Sequence, residues 1–149
     1  MVSISQSALL PYPAARMFAL VNDIAAYPQF MQGCLAAEIL QTTDSGIIAR
    51  LELGKAGLRY AFTTRNVLEA PERMHMTLVE GPFRSFSAEW RFVPLSETAC
   101  KTCLEMQFEF RVGLIDVALS SLFEATSKDL VNAVCRRAEQ LYGKQYGKQ

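Results

Sequence analysis

Between about residue 34 and residue 110 apolar and polar side chains alternate in short runs, and this period of two constrains the fold more than any other feature. Tyr60, Phe62, Thr64 and Leu68 fall on one side of their run, as do Met74, Met76 and Leu78 on theirs. Phe86, Ala88, Trp90 and Phe92 repeat the pattern, followed by Leu104, Met106, Phe108 and Phe110. Ser87, Glu89, Arg91, Glu105, Gln107 and Glu109 occupy the opposite side. Turn-forming residues punctuate the runs at Asp44-Ser45-Gly46, Gly54 to Gly57, Ala70-Pro71-Glu72, Gly81-Pro82 and Ser96-Glu97-Thr98. Six strands are predicted, and their connections are shorter than the roughly a dozen residues a parallel crossover needs, so neighbours run antiparallel. The sheet has one dry face and one wet face.

Residues 2 to 9 alternate in the same way and make a seventh strand, first in chain order. Pro13 suits a first helical position, and Met17, Phe18, Leu20, Val21 and Ile24 follow at helical spacing. Asn22-Asp23 ends that helix, with Asp23 placed to cap a second short one that Pro28 terminates. After Gly113 neither Gly nor Pro occurs from residue 114 to about 141, and apolar residues recur at 115, 119, 122, 130, 134, 138 and 141. This is one long amphipathic helix of about 40 Å. Asp116 lies near its start and Arg136 and Arg137 in its later turns, as the helix dipole favours, and Glu124 and Lys128 form an i,i+4 pair. A seven-stranded sheet must bury its dry face, and only this helix is long enough to cover it. The expected class is therefore α+β, a curved seven-stranded antiparallel sheet wrapped around a long C-terminal helix, with two short helices after strand one. The domain spans residues 1–142, and 143–149, where Tyr-Gly-Lys-Gln is repeated, is a polar tail.

Lys plus Arg number 15 and Asp plus Glu number 15, so the chain has no overall field favouring DNA or an anionic membrane. The N-terminus lacks the basic start and apolar run of a secretory signal, and no stretch approaches the ~18 apolar residues of a spanning helix. A cytoplasmic location follows. Cys34, Cys100, Cys103 and Cys135 are then expected as free thiols, and Cys100-x-x-Cys103 lacks the further ligands a zinc site requires, His75 being the single histidine. His75 alternates away from Met74 and Met76 toward solvent, and motifs for nucleophilic, phosphate-binding or metal-assisted chemistry are absent. Glu80 falls in register with Met76 and Leu78 but emerges at the strand end beside Gly81-Pro82. No catalytic residue is assigned, and the chain is expected not to be an enzyme.

Apolar coverage of the long helix is broad in its first half, through Leu114, Ile115, Val117, Ala118, Leu119, Leu122, Phe123 and Ala125. Each of these, taken singly, suits a packed core. Together with the dry face of the sheet they suit an apolar cavity.

Particular residues carry a family resemblance: Val21-Asn22-Asp23, Tyr27-Pro28-Gln29-Phe30 leading to Gly33-Cys34, Lys55-Ala56-Gly57, Phe62-Thr63-Thr64-Arg65-Asn66, Gly81-Pro82-Phe83, and Trp90-Arg91-Phe92-Val93-Pro94-Leu95. Over about residues 1 to 142 the chain resembles the bacterial RatA proteins. Those group with the mitochondrial coenzyme Q-binding proteins in the START-like (polyketide cyclase/dehydrase and lipid transport) superfamily. The resemblance implies a helix-grip fold and two functional expectations. The first is a non-enzymatic protein that binds ubiquinone or a related lipid in an internal cavity, supports respiration, requires no other cofactor and makes transient membrane contact. Its ligand-binding residues would be Tyr27, Phe30, Met31, Tyr60, Phe62, Thr64, Met76, Phe86, Trp90, Met106, Phe108, Leu119, Leu122 and Phe123. Tyr27, Tyr60, Thr64 or Trp90 would donate to the quinone head, and Tyr27, Phe30 and Met31 would close the mouth. The second expectation is a toxin that binds the large ribosomal subunit and blocks subunit joining, with Arg50, Lys55, Arg59, Arg65 and Arg73 as the candidate basic footprint.

Overall fold

The computed structural model describes residues 1–113, 115 and 117–143. In chain order the elements are β1 (Val2–Leu10), α1 (Ala14–Asn22), a 3-10 helix (Ile24–Gln29), β2 (Cys34–Thr42), β3 (Gly46–Lys55), β4 (Leu58–Glu69), β5 (Arg73–Glu80), β6 (Phe83–Pro94), β7 (Cys100–Phe110) and α2 (Val117–Tyr142). The seven strands form one antiparallel sheet in the order β1-β7-β6-β5-β4-β3-β2. This is the helix-grip arrangement that the alternation and the uninterrupted last helix predict. The β3–β4 hairpin is tight because Ala56 (φ 54°) and Gly57 (φ 84°) both adopt positive φ, the geometry whose twist matches paired strands.

Curvature has a local cause. The pairing register shifts twice between β2 and β3, once between β4 and β5 at Thr63/Thr64, and once between β6 and β7 at Phe83/Ser85. Each extra residue bends its strand. At the β4 irregularity both Thr63 and Thr64 are buried, although strict alternation places only one of them inside.

The concave face carries Met74, Phe92, Leu104 and Phe108, all essentially inaccessible, and α2 lays Phe123, Leu130, Val131, Val134 and Ala138 against it. Gln6 Nε2 on β1 donates to the Lys128 carbonyl of α2 at 2.6 Å, tying the edge of the sheet to the helix. At the other end α1 closes the core with Phe18 edge-on to Phe92, centroids 5.8 Å apart. No helix among the described residues is long and apolar enough to cross a membrane.

Several local expectations are corrected. Pro13 stands one position before the helix, its carbonyl accepting from the Arg16 and Met17 amides at 3.0 and 3.2 Å. Asp23 makes no side-chain capping bond, and Pro28 lies inside the 3-10 helix instead of ending it. The ends of that helix are held by backbone bonds, from Ala26 to the Asp23 carbonyl and from Phe30 and Met31 to the Tyr27 carbonyl. The Glu124–Lys128 pair forms at 2.8 Å, but α2 has no basic residue in its last turn: Arg136 pairs with Asp129 and Arg137 turns to Gln29. Leu114, Asp116 and the tail after Gly143 lie outside the described residues.

Candidate functional site

A cavity of about 40 Å³ lies between α2 and the concave face. Its walls are Leu51 and Leu53 of β3, Phe62 of β4, Met76 of β5, Phe86 and Trp90 of β6, Met106 of β7, and Phe123, Thr126, Ser127 and Leu130 of α2. Tyr27 and Met31, from the 3-10 helix and the loop after it, complete the enclosure. A space this size accommodates a water or a few, whereas small-molecule sites occupy roughly 300–1,000 Å³. The helix-grip interior is therefore largely filled.

The filling is aromatic. Phe123 projects from α2 into a cluster from three strands, with ring centroids 4.8 Å from Phe108, 5.2 Å from Phe83, 5.6 Å from Phe110 and 5.7 Å from Phe62. Phe83 stacks on Phe110 at 4.6 Å, and Tyr60 stacks on Phe62 at 6.5 Å. Edge-to-face and offset contacts of this kind add to area burial and fix the rings against one another.

Of the residues expected from the sequence, Tyr27, Met31, Phe62, Met76, Phe86, Trp90, Met106 and Phe123 line the cavity. Tyr60 and Phe108 sit in the adjoining aromatic cluster. Four others are elsewhere. Phe30 is half-buried beneath the Arg137 guanidinium, 5.5 Å from ring centroid to Cζ. Thr64 donates its hydroxyl to Asn66 Oδ1 at 2.7 Å. Leu122 packs on Gly33, where an added Cβ would lie 3.1 Å from it, and Leu119 is buried one helical turn before Phe123. Sequence reasoning missed Leu51 and Leu53, which alternate inward on β3, and Thr126, Ser127 and Leu130, which follow Phe123 at spacings of three, four and seven.

Hydrogen bonds settle what the polar groups can do. The Tyr27 hydroxyl donates to the Val21 carbonyl and is already engaged, and burial pushes its pKa far up. Thr126 Oγ1 donates to the Gln32 carbonyl at 2.9 Å, fastening α2 to the loop beside the cavity. The Tyr60 hydroxyl differs: it is buried with no hydrogen-bond partner among the described residues, and burial raises its pKa as well. Asn66 Nδ2 is a second such donor, its amide oxygen taken by Thr64. Burial pushes the Cys34 thiol up to about 11, so it stays protonated near neutrality. Cys100 is buried and Cys103, three residues on along the strand, half-exposed; no cluster of three or more metal-ligating side chains occurs among the described residues. His75 and Glu80 are both exposed.

A curved antiparallel sheet gripping one long helix around an apolar interior defines a START-like protein. The chain belongs to the polyketide cyclase / dehydrase and lipid transport family, whose model matches residues 10–135. It is 41% identical over 143 residues to the ribosome association toxin RatA of Vibrio cholerae, covering 96% of this chain and 99% of that one. The RatA of Pseudomonas aeruginosa is 42% identical over 140 residues, covering 94% and 97%. The mitochondrial coenzyme Q-binding protein homolog B of Xenopus laevis is 24% identical over 148 residues, covering 97% of this chain and 61% of its own length. Among solved structures, an aromatase/cyclase from a Streptomyces species superposes with a TM-score of 0.80 at 21% identity, covering 93% of this chain and 94% of that one. That likeness speaks for the fold.

Proposed function

We propose that this chain associates with ribosomes and acts non-enzymatically, through its exterior. The observation that carries the reading is its identity of 41–42% with proteins named ribosome association toxins, sustained over 94–96% of its length. The nearly filled interior supports it, because a cavity of about 40 Å³ gives an isoprenoid quinone no room without repacking the aromatic cluster. The order of the two expectations from sequence is thereby reversed. Sedimentation tests it: purified protein mixed with ribosomes at low magnesium is expected to travel with the large subunit and, when magnesium is restored, to hold subunits apart. Protein that stays at the top of the gradient at low salt, with subunits joining normally, would sink the reading.

A second reading, binding of a hydrophobic small molecule, is favoured by one observation, the unpartnered Tyr60 hydroxyl beside the cavity. A buried hydroxyl without a partner costs about 1–3 kcal/mol. Tyr60→Phe is therefore expected to raise the melting temperature by roughly 2–4 °C, on the basis of about 1 kcal/mol recovered. It is also expected to abolish whatever binding of a carbonyl-bearing apolar ligand the wild-type protein shows. A melting temperature that falls in Tyr60→Phe would mean that the hydroxyl is satisfied and would remove the basis for this second reading.

A further inference from the structure

Three of the five basic residues clustered in the sequence are paired with carboxylates once folded. Arg50 faces Glu38 at 4.0 Å, Arg59 faces Glu52 at 3.3 Å, and Arg73 lies between Glu69 and Glu89 at 3.1 and 3.3 Å. Lys55 and Arg65 have no carboxylate within 4.0 Å among the described residues.

A different surface combines aromatic rings with arginines lacking carboxylate partners among the described residues. Where α1, the 3-10 helix and the C-terminal half of α2 meet, the Arg16 guanidinium lies 5.3 Å over the Tyr142 ring, and Tyr142 packs on Tyr12 at 5.6 Å while donating its hydroxyl to the Arg16 carbonyl at 3.2 Å. Beside it, Arg137 lies over Phe30, itself edge-on to Tyr27 at 5.6 Å, and donates to Gln29 Oε1 at 3.0 Å. Neither Arg16 nor Arg137 has a carboxylate within 4.0 Å among the described residues. Both lie along the end of α2, where Arg16 stacks on Tyr142 and Arg137 stands five residues before it on the same helix.

We infer that this face, with Arg16 stacked on Tyr142 and Arg137 on Phe30, is an RNA-contacting surface. The inference rests on the ribosome reading for its biological setting and on the geometry for its chemistry. A guanidinium held by its face against a ring has its N–H edge pre-oriented, a geometry that matches a phosphate bidentately; Arg137 spends one N–H on Gln29 and keeps the others for such a contact. One face of each ring is taken by a guanidinium, so the outer plane of each guanidinium is the surface against which an unpaired base stacks. An acidic protein segment is the competing partner, and the experiment separates it.

The test uses the full chain and a fluorescent single-stranded RNA of about 12 nucleotides, followed by anisotropy across a salt series. Wild-type protein is expected to bind, with affinity falling as salt rises. Arg16→Gln/Arg137→Gln is expected to bind about 100-fold more weakly, roughly tenfold per arginine, with a log–log salt slope shallower by about 1.4 for two lost phosphates. Arg16→Lys/Arg137→Lys keeps the charge without the planar fork and is expected to retain the slope while losing part of the affinity. Arg91→Gln/Lys101→Gln, on the convex sheet, removes the same charge and is expected to bind like wild type, with circular dichroism confirming that every variant is folded. Absence of RNA binding by the wild type at low salt, equal losses from both glutamine pairs, or displacement of RNA by polyglutamate at matched charge would each overturn the inference. Repeating the ribosome sedimentation separates the two levels. RNA binding lost in the Arg16/Arg137 variant while wild-type protein fails to sediment leaves the surface standing and removes the ribosome reading. Sedimentation unaffected by the variant removes the surface and leaves the reading.

Discussion

Phe123→Ala is expected to remove about 3–5 kcal/mol of folding stability, against a total of roughly 5–15 kcal/mol for a domain. Phe123 is 4% exposed and is the aromatic residue that α2 sends into the cluster, where it meets rings from β4, β6 and β7. Its removal takes away the transfer free energy of the ring and leaves a void continuous with the existing 40 Å³ cavity, whose wall Phe123 forms. The void cannot readily collapse. Phe83, Phe108 and Phe110 are fixed on hydrogen-bonded strands, and α2 is held in place by Gln6 at Lys128 and by Thr126 at Gln32. Urea denaturation is the measurement: the midpoint should fall with the m-value unchanged, showing that stability and not denatured-state compactness has shifted. A loss below about 1 kcal/mol would show that α2 moves inward, and the interior would then have to be regarded as plastic and the cavity as adjustable. The measurement therefore bears on the small-molecule reading too, since a quinone requires that plasticity.

Sequence periodicity revealed the strands and the long helix because both depend on local burial pattern. Strand β6 is typical, with Phe86, Ala88, Trp90 and Phe92 inward and every one buried. What it did not reveal depends on partners distant in the chain. Burial of Thr63 arises from a register shift against β5, and the exposed Leu35, Ile39 and Leu40 of β2 reflect an edge strand that α2 does not cover. Asp23 carries a capping residue's chemistry, but its backbone at φ −84° and ψ 73° departs from the extended conformation an N-cap usually adopts, and no side-chain bond follows.

The cavity wall was legible to the same extent as the strands, and the behaviour of its polar groups was not. Tyr27 has the right residue type and position for a ligand donor, yet its hydroxyl is consumed by the Val21 carbonyl at the end of α1. Three members of the candidate basic footprint are neutralised for a related reason. Arg50, Arg59 and Arg73 lie close in sequence, but the carboxylates that neutralise Arg50 and Arg73 include Glu38 and Glu89, brought alongside by strand pairing. Arg16 and Arg137, by contrast, are far apart in sequence and meet because α2 returns along α1. Counting charges along a chain cannot distinguish the two cases.

Gly46→Ala is expected to be among the most damaging single substitutions in the chain, costing about 3 kcal/mol, at the upper end of what overpacking produces. A Cβ on Gly46 would lie 1.9 Å from the Asn66 carbonyl oxygen, 2.9 Å from its carbon and 3.2 Å from the Val67 Cα, all backbone atoms that no rotamer change can move. The close approach is sealed on both sides. Thr43 N–H donates to the Gly46 carbonyl at 2.7 Å, Gly46 N–H donates to Thr43 Oγ1 at 3.1 Å, and Leu68 N–H donates to the Ser45 carbonyl at 2.9 Å. Relief of the clash must open the β3–β4 pairing at its start and displace Asn66, which is 1% exposed and accepts from Thr64. Gly57→Ala is the informative comparison. Gly57 has φ +84° with nothing within 4 Å of an added Cβ, so its substitution carries only the conformational cost of a left-handed alanine, about 1–2 kcal/mol. Equilibrium denaturation of the two variants should thus rank Gly46→Ala well below Gly57→Ala in stability. The opposite ranking would mean that the β3–β4 strands separate more readily than the hairpin turn tolerates a side chain, and rigidity of the sheet at Asn66 would no longer follow from its hydrogen bonds.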